Sequence, residues 1–217
     1  MGALIGSGRT ADVFALDDGW VLRRYRDGTD ASEEADVMAY LWEQGYPVPR
    51  IRADGARGTS DLVMRRLTGL TLAEAAMAGA VSPAEAGAMI GTLLRRLHAL
   101  PARSPGAPPE HRVLHLDLHP ENVLLTPDGP VVIDWATAEE GPPGLDRAMS
   151  ALILAEVAVA PGPASTNCRT ALAALLTETG AEDYLTEAWG RRAGNPTLGP
   201  EEVDRLGAAV ELVRGMV

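Results

Sequence analysis

Three oxygen-bearing side chains at fixed separations constrain this chain more than any other feature. Asp117 stands in His115-Leu116-Asp117-Leu118-His119-Pro120, Asn122 follows five residues later, and Asp134 ends the apolar run Val131-Val132-Ile133. Asn122 itself opens a second apolar run, Val123-Leu124-Leu125. A plain polar turn between buried strands does not explain why an amide and a carboxylate both abut such runs. Phosphoryl transfer from a nucleotide does: one carboxylate orients the attacking hydroxyl, and an amide with a second carboxylate holds Mg²⁺ through hard oxygens.

A zinc hydrolase is the rival on the same residues, because His115, Asp117 and His119 form an imidazole–carboxylate cluster. It needs further His or Cys ligands at suitable spacing. Only His98 and His111 remain, and neither sits in a matching motif. Phosphoryl chemistry accounts for more of the pattern.

The remaining properties bound the setting. With 217 residues, the chain can form one ordinary domain or two small lobes. An apolar fraction of 46% with 23% charged residues is that of a soluble globular protein. No apolar run approaches the roughly 20 residues of a membrane helix, so no membrane partner is expected. The start, Met1-Gly2-Ala3-Leu4-Ile5-Gly6, lacks the charged and apolar regions of a signal peptide. A single cysteine, Cys168, rules out an internal disulfide and fits a reducing compartment, and the expected location is the cytoplasm. A net charge of −11 argues against a nucleic-acid partner and favours a cationic small molecule. All 19 cationic side chains are arginine.

The first third reads as five short strands and one helix. Strand-like pieces fall at residues 4–5, 13–15, 20–22, 49–53 and 61–67, punctuated by Gly6, Gly8, the Asp17-Asp18-Gly19 turn and the Gly55–Gly58 turn. Residues 30–44 follow a helical stripe of Ala35, Met38, Ala39, Leu41 and Trp42, ended by Gly45 and Pro47. Strand character gives way to helix near 67–69, the one plausible boundary. Ser82-Pro83 starts a helix with Ser as cap, and its stripe runs through Met89, Ile90, Leu93, Leu94 and Leu97. Two short strands after the Asp117 stretch and helices near 144–159, 166–179, 182–192 and 201–216 complete the chain.

Gly6-Ser7-Gly8-Arg9-Thr10-Ala11-Asp12-Val13 lies between two strand-like pieces. A strand follows rather than a helix, and no Gly-Lys-Ser/Thr is present, so this is neither a dinucleotide fingerprint nor a P-loop. In order and spacing, this turn, the strand Trp20-Val21-Leu22-Arg23 and the 115–135 stretch resemble the aminoglycoside phosphotransferase-like kinases, relatives of the protein kinases. The resemblance runs from the Gly-rich turn to Asp146. It implies an α+β, protein-kinase-like bilobal fold. Residues 1–67 would be a nucleotide-binding lobe with a five-stranded antiparallel sheet and one helix, and 68–217 a mostly helical catalytic and substrate lobe, with the nucleotide in the cleft between them.

The resemblance also implies roles. Asp117 would be the catalytic base, and Asn122 and Asp134 the Mg²⁺ ligands. Gly6, Ser7, Gly8, Val13 and Val21 would cover the nucleotide. Arg23 takes the position of the family's phosphate-binding lysine, the main departure from its pattern, with Glu34 as its helix partner and Glu33 second. Arg65 and Leu67 would offer backbone groups to the base of ATP or GTP. His115 would orient the loop, His98 would be structural, and Asp146 would cap or brace the next helix. The expected activity moves the γ-phosphoryl group of ATP to a hydroxyl of a small molecule, an aminoglycoside or another amino-alcohol. Ile133-Asp134-Trp135 in place of Asp-Phe-Gly, and the absence of Ala-Pro-Glu, argue against a protein kinase. A nucleotide-binding pseudokinase remains the alternative, favoured by Arg23. Acidic residues that could receive a cationic acceptor are Glu139, Glu140, Glu178, Glu182, Asp183 and Glu187. Oligomeric state is not legible.

Overall fold

The computed structural model describes residues 2–8, 10–16, 19–179, 183–195 and 198–217. Arg9 of the Gly-rich turn, Asp17 and Asp18 of the next turn, and Glu182 lie outside these residues. In chain order the first elements are β1 (Leu4–Ser7), β2 (Ala11–Ala15), β3 (Trp20–Tyr25), α1 (Ser32–Glu43), β4 (Ile51–Arg52), β5 (Asp61–Arg65) and β6 (Leu70–Thr71). Then follow α2 (Leu72–Met77), α3 (Pro83–His98), β7 (Arg112–Leu114), a single 3-10 turn (Pro120–Asn122), β8 (Val123–Thr126), β9 (Gly129–Val132) and β10 (Glu139–Gly141). Four helices end the chain: α4 (Pro143–Val159), α5 (Ser165–Thr179), α6 (Leu185–Ala193) and α7 (Pro200–Arg214). They form two compact units, one of Met1–Gly69 with Leu124–Ala138, the other of Leu70–Val123 with Glu139–Val217.

The first unit is built on a five-stranded antiparallel sheet in the order β1-β2-β3-β5-β4. Its central strand β3 buries Val21, Leu22 and Tyr25, while Arg23 and Arg24 remain partly accessible. The edge strand β4 is shorter than the sequence suggests. Pro47 and Pro49 precede it, and a proline cannot donate to a ladder. Helix α1 turns Val37, Met38 and Leu41 inward together with the carboxylate of Glu34. Trp42, expected on the inner stripe, is 49% exposed; Val37, one turn before Leu41, is buried instead. The β8–β9 hairpin belongs to the same unit. Val132 N–H donates to Pro47 O at 2.8 Å, and Trp135 meets the Tyr46 ring edge-on at 5.7 Å. Residues 131–135 are therefore tied to the loop that follows α1.

In the second unit α4 is buried on nearly every side, the mark of a central helix. Helix α3 starts where Ser82 caps it. The Ser82 hydroxyl accepts from Glu85 N–H at 3.2 Å, and the Glu85 carboxylate accepts from Ser82 N–H at 2.8 Å. Ile90, Leu93, Leu94 and Leu97 are buried on its inner stripe, each stabilising the fold by about 1.5–3 kcal/mol relative to exposure. Gly87 and Gly91 let α5 approach closely. A Cβ on Gly87 would collide with the Ala171 carbonyl, and one on Gly91 would meet Glu178 Cβ at 2.6 Å. A two-stranded antiparallel ladder pairs β7 with β10, Val113 opposite Glu140, which the sequence did not suggest. Among the described residues no helix is long and apolar enough to cross a membrane.

Candidate active site

Strand β7 delivers the chain into His115-Leu116-Asp117, and one buried carboxylate holds that turn in place. Asp146, in the first turn of α4, is fully buried. Its Oδ2 accepts from His115 N–H at 3.0 Å and its Oδ1 from Leu116 N–H at 2.7 Å. His98 Nε2 lies 3.0 Å from Oδ2. Leu116 adopts φ +61, a left-handed conformation that costs an L-residue about 1–2 kcal/mol, so the hydrogen bonds of Asp146 sustain a strained turn. Burial opposes ionisation of Asp146, but His98 and the backbone of His115 more than offset it and hold the carboxyl below its ordinary range. The sequence suggested that Asp146 caps or braces its own helix. It braces the Asp117 loop instead, because its carboxylate is turned toward the N–H groups of residues 115 and 116.

Asp117 is then presented with its two oxygens in different surroundings. Asn122 Nδ2 donates to the Asp117 carbonyl at 2.8 Å and to Oδ2 at 3.2 Å. His119 Nε2 stands 3.7 Å from the same Oδ2. Oδ1 faces Arg192 Nη1 at 3.7 Å, beyond direct hydrogen bonding. Asp117 N–H donates to His115 Nδ1 at 3.2 Å. Burial works against the charged form of Asp117, yet His119, His115 and Arg192 together hold its carboxyl below the usual range. The carboxylate is ionised at neutral pH with one oxygen largely uncommitted, which suits it to orient a hydroxyl. Asn122 uses its amide nitrogen on Asp117, leaving its side-chain oxygen as the free donor atom for a hard cation.

Arg192 was missed from the sequence. It lies on α6, where Nε and Nη2 form a fork onto Glu156 of α4 at 2.7 and 3.1 Å. No short motif announces a pairing across 36 residues.

In the first unit Arg23 is the hub. Its Nη1 donates to Glu34 Oε1 and its Nη2 to Asp134 Oδ1, both at 2.7 Å. Tyr25 OH donates to the other Glu34 oxygen at 2.6 Å, and the Arg23 guanidinium lies over the Tyr25 ring at 4.9 Å. Burial pushes the Glu34 carboxyl above its ordinary range, and Arg23 and Tyr25 only partly counter it. Asp134 adopts φ +65 and keeps Oδ2 clear of the Arg23 contact, a carboxylate oxygen of the type Mg²⁺ takes. Trp135 is buried beside it and donates from Nε1 to Val132 O at 3.1 Å, which pins the turn.

The other expected nucleotide residues of this unit spread along the sheet. Gly6 pairs with Val13, and Val13 lies opposite Arg23. Ser7 Oγ donates to Asp12 at 2.7 Å, and Arg26 clasps Ser7, Gly8 O and Asp12. The Gly8 N–H closes the turn on Ala11 O at 2.9 Å. Val21 is buried opposite Met64. Arg65 N–H is engaged by Arg50 O at 2.7 Å, whereas Leu67 lies past the end of β5. Among the described residues no three His, Cys, Asp or Glu side chains converge as a metal centre.

Residues 2–112 and 104–194 match the model of APH, the phosphotransferase enzyme family. No curated protein matches the sequence. Among solved structures, the ADP-bound aminoglycoside phosphotransferase APH(2'')-Ib aligns over 98% of this chain and 93% of its own, with TM-score 0.56 and 13% identity. A choline/ethanolamine kinase family protein from Mesorhizobium loti aligns over 98% and 92%, with TM-score 0.58 and 17% identity. An amicoumacin kinase in complex with AMP-PNP and Ca²⁺ aligns over 98% and 87%, with TM-score 0.55 and 14% identity. The antiparallel five-stranded sheet, the helical second unit and these likenesses give the same answer: the fold is α+β and kinase-like, and the chain belongs to the phosphotransferase enzyme family.

Proposed function

We propose that this protein moves the γ-phosphoryl group of ATP to a hydroxyl group of a small molecule. The observation that carries the reading is Asp117. It is ionised, held by a strained and braced loop, steadied on one oxygen by Asn122 and open on the other. Asp117 orients the acceptor hydroxyl and draws off its proton as the O–P bond forms. Asn122 and Asp134 would hold Mg²⁺, which supplies neutralisation of phosphate charge. Arg23, with Glu34 behind it, contributes charge-assisted hydrogen bonds to phosphate oxygens. Residues 1–67 serve as the nucleotide-binding lobe, with 124–138 grouped beside them, and the rest of 68–217 as the catalytic and substrate lobe, with Gly6, Ser7, Gly8, Val13 and Val21 toward the nucleotide and Arg65 and Leu67 toward its base. The cytoplasm is the proposed setting. GTP is the other nucleotide to test, and aminoglycosides and amino-alcohols belong in the acceptor screen.

The second reading, a nucleotide-binding protein without efficient transfer, has one observation in its favour. Arg23 already occupies Asp134 Oδ1 at 2.7 Å, and a guanidinium is larger than the ammonium of the family's lysine. ADP release across an acceptor screen decides between them. Turnover in the parent, falling about 10²–10⁴-fold in Asp117→Asn with ATP affinity retained, supports transfer. ATP binding with no turnover on any acceptor supports the second reading.

A further inference from the structure

The surroundings of Asp117 Oδ1 bear on which acceptor the chain takes, an inference that rests on the phosphotransfer reading. Glu156 is buried and engages the Nε–Nη2 edge of Arg192 with both of its oxygens. The opposite nitrogen, Nη1, is directed at Asp117 Oδ1 from 3.7 Å. Oδ2 is the oxygen steadied by Asn122, so Oδ1 is the one left to receive a hydroxyl proton. A hydroxyl bonded there comes within reach of an arginine N–H that can only donate.

Four of the five described acidic residues suited to a cationic acceptor, Asp183 being the fifth, are engaged elsewhere. Arg191 pairs with Glu139 at 2.7 Å and with Glu187 at 3.1 Å. Glu178 pairs with Arg95. Glu140 accepts from the backbone N–H groups of Arg103 and Ser104. At those four a polyamine would displace an arginine from three and break a loop anchor at the other.

We propose that Arg192 is a specificity-determining residue, and that the acceptor carries an oxygen substituent, carboxylate or hydroxyl, next to the hydroxyl that is phosphorylated. An ammonium at that place meets the outward edge of a guanidinium. A carboxylate meets a donor held in position by Glu156.

The test is calorimetric binding of D-glycerate, erythritol, choline and gentamicin to the full chain, with ATP binding and ADP release measured in parallel. Arg192→Gln alone strips Glu156 of its cation, so the double variant Glu156→Gln/Arg192→Gln, which keeps a neutral pair of similar size, is compared with it. The parent is expected to bind glycerate at least about tenfold more tightly than choline, the scale of one hydrogen bond to a charged group, and the double variant to lose that margin. Tighter binding of choline or gentamicin by the parent, equal binding of all four probes, or no binding of any would each overturn the proposal. So would a glycerate preference that survives in the double variant. Failure of ATP to bind would instead overturn the phosphotransfer reading and leave the acceptor preference to be read directly.

Discussion

Asp146 and Glu34 are both buried carboxylates with several hydrogen-bond partners, yet they are built for opposite conditions. Asp146 accepts two backbone N–H groups and faces His98, so the charged form wins despite complete burial. Glu34 is held by one arginine, one tyrosine hydroxyl and a single backbone contact from Trp135, and its burial outweighs all three. The arginine is moreover shared with Asp134. A carboxylate fixed on both oxygens by backbone donors acts as permanent scaffold. One balanced by a shared side chain responds when that side chain is drawn to something else, such as a phosphate.

Replacing Asp146 by Asn tests the scaffold half and should have the largest effect. It removes the charge that two buried N–H groups and His98 face, and should cost about 3–5 kcal/mol in urea unfolding. A variant as stable as the parent would mean the loop needs no anion. Arg23→Ala comes next. It leaves Glu34 buried without its cation, should destabilise by about 2 kcal/mol, and should weaken ATP binding about tenfold or more, while Arg23→Lys should retain binding. Unchanged ATP affinity in Arg23→Ala would remove Arg23 from the phosphate site. Glu34→Gln should cost less, about 1 kcal/mol, because it removes a desolvated charge along with its partners. A loss matching that of Asp146→Asn would erase the distinction between the two carboxylates.

The smallest effect is a difference in pH dependence. Asp146 has a depressed folded pKa, so its contribution is present above the unfolded value near ~4 and is lost as pH falls through the lower folded value. Glu34 has a raised folded pKa, so its folded state binds the extra proton. Its contribution is greatest below the unfolded value near ~4.3 and declines as pH rises through the folded one. Stability curves of Glu34→Gln against the parent should therefore converge toward higher pH and separate at lower pH, with the parent the more stable at the acid end of that window. Parallel curves would show that Glu34 does not titrate there.

The parts legible in the sequence were those written locally. The strands punctuated by glycines, the helix after β3, the Ser82 cap and the spacing of Asp117, Asn122 and Asp134 all lie within short stretches where turn chemistry and periodicity speak directly. The parts that escaped depend on distant partners. Asp146 reaches back 31 residues to hold His115, the β7–β10 ladder joins segments on either side of the Asp117 stretch, and Arg192 meets Glu156 only because α6 lies against α4. One missed feature had a visible signal. Gly87 and Gly91, four apart on a helix, occupy one face where a neighbouring helix can come close.

Asp134 as a metal ligand at a nucleotide site is tested most directly by a calorimetric titration of ATP with and without Mg²⁺ into the parent and Asp134→Asn. Mg²⁺-dependent binding by the parent, lost in the variant, is the expected result. Binding that is indifferent to Mg²⁺ and to the substitution would contradict it.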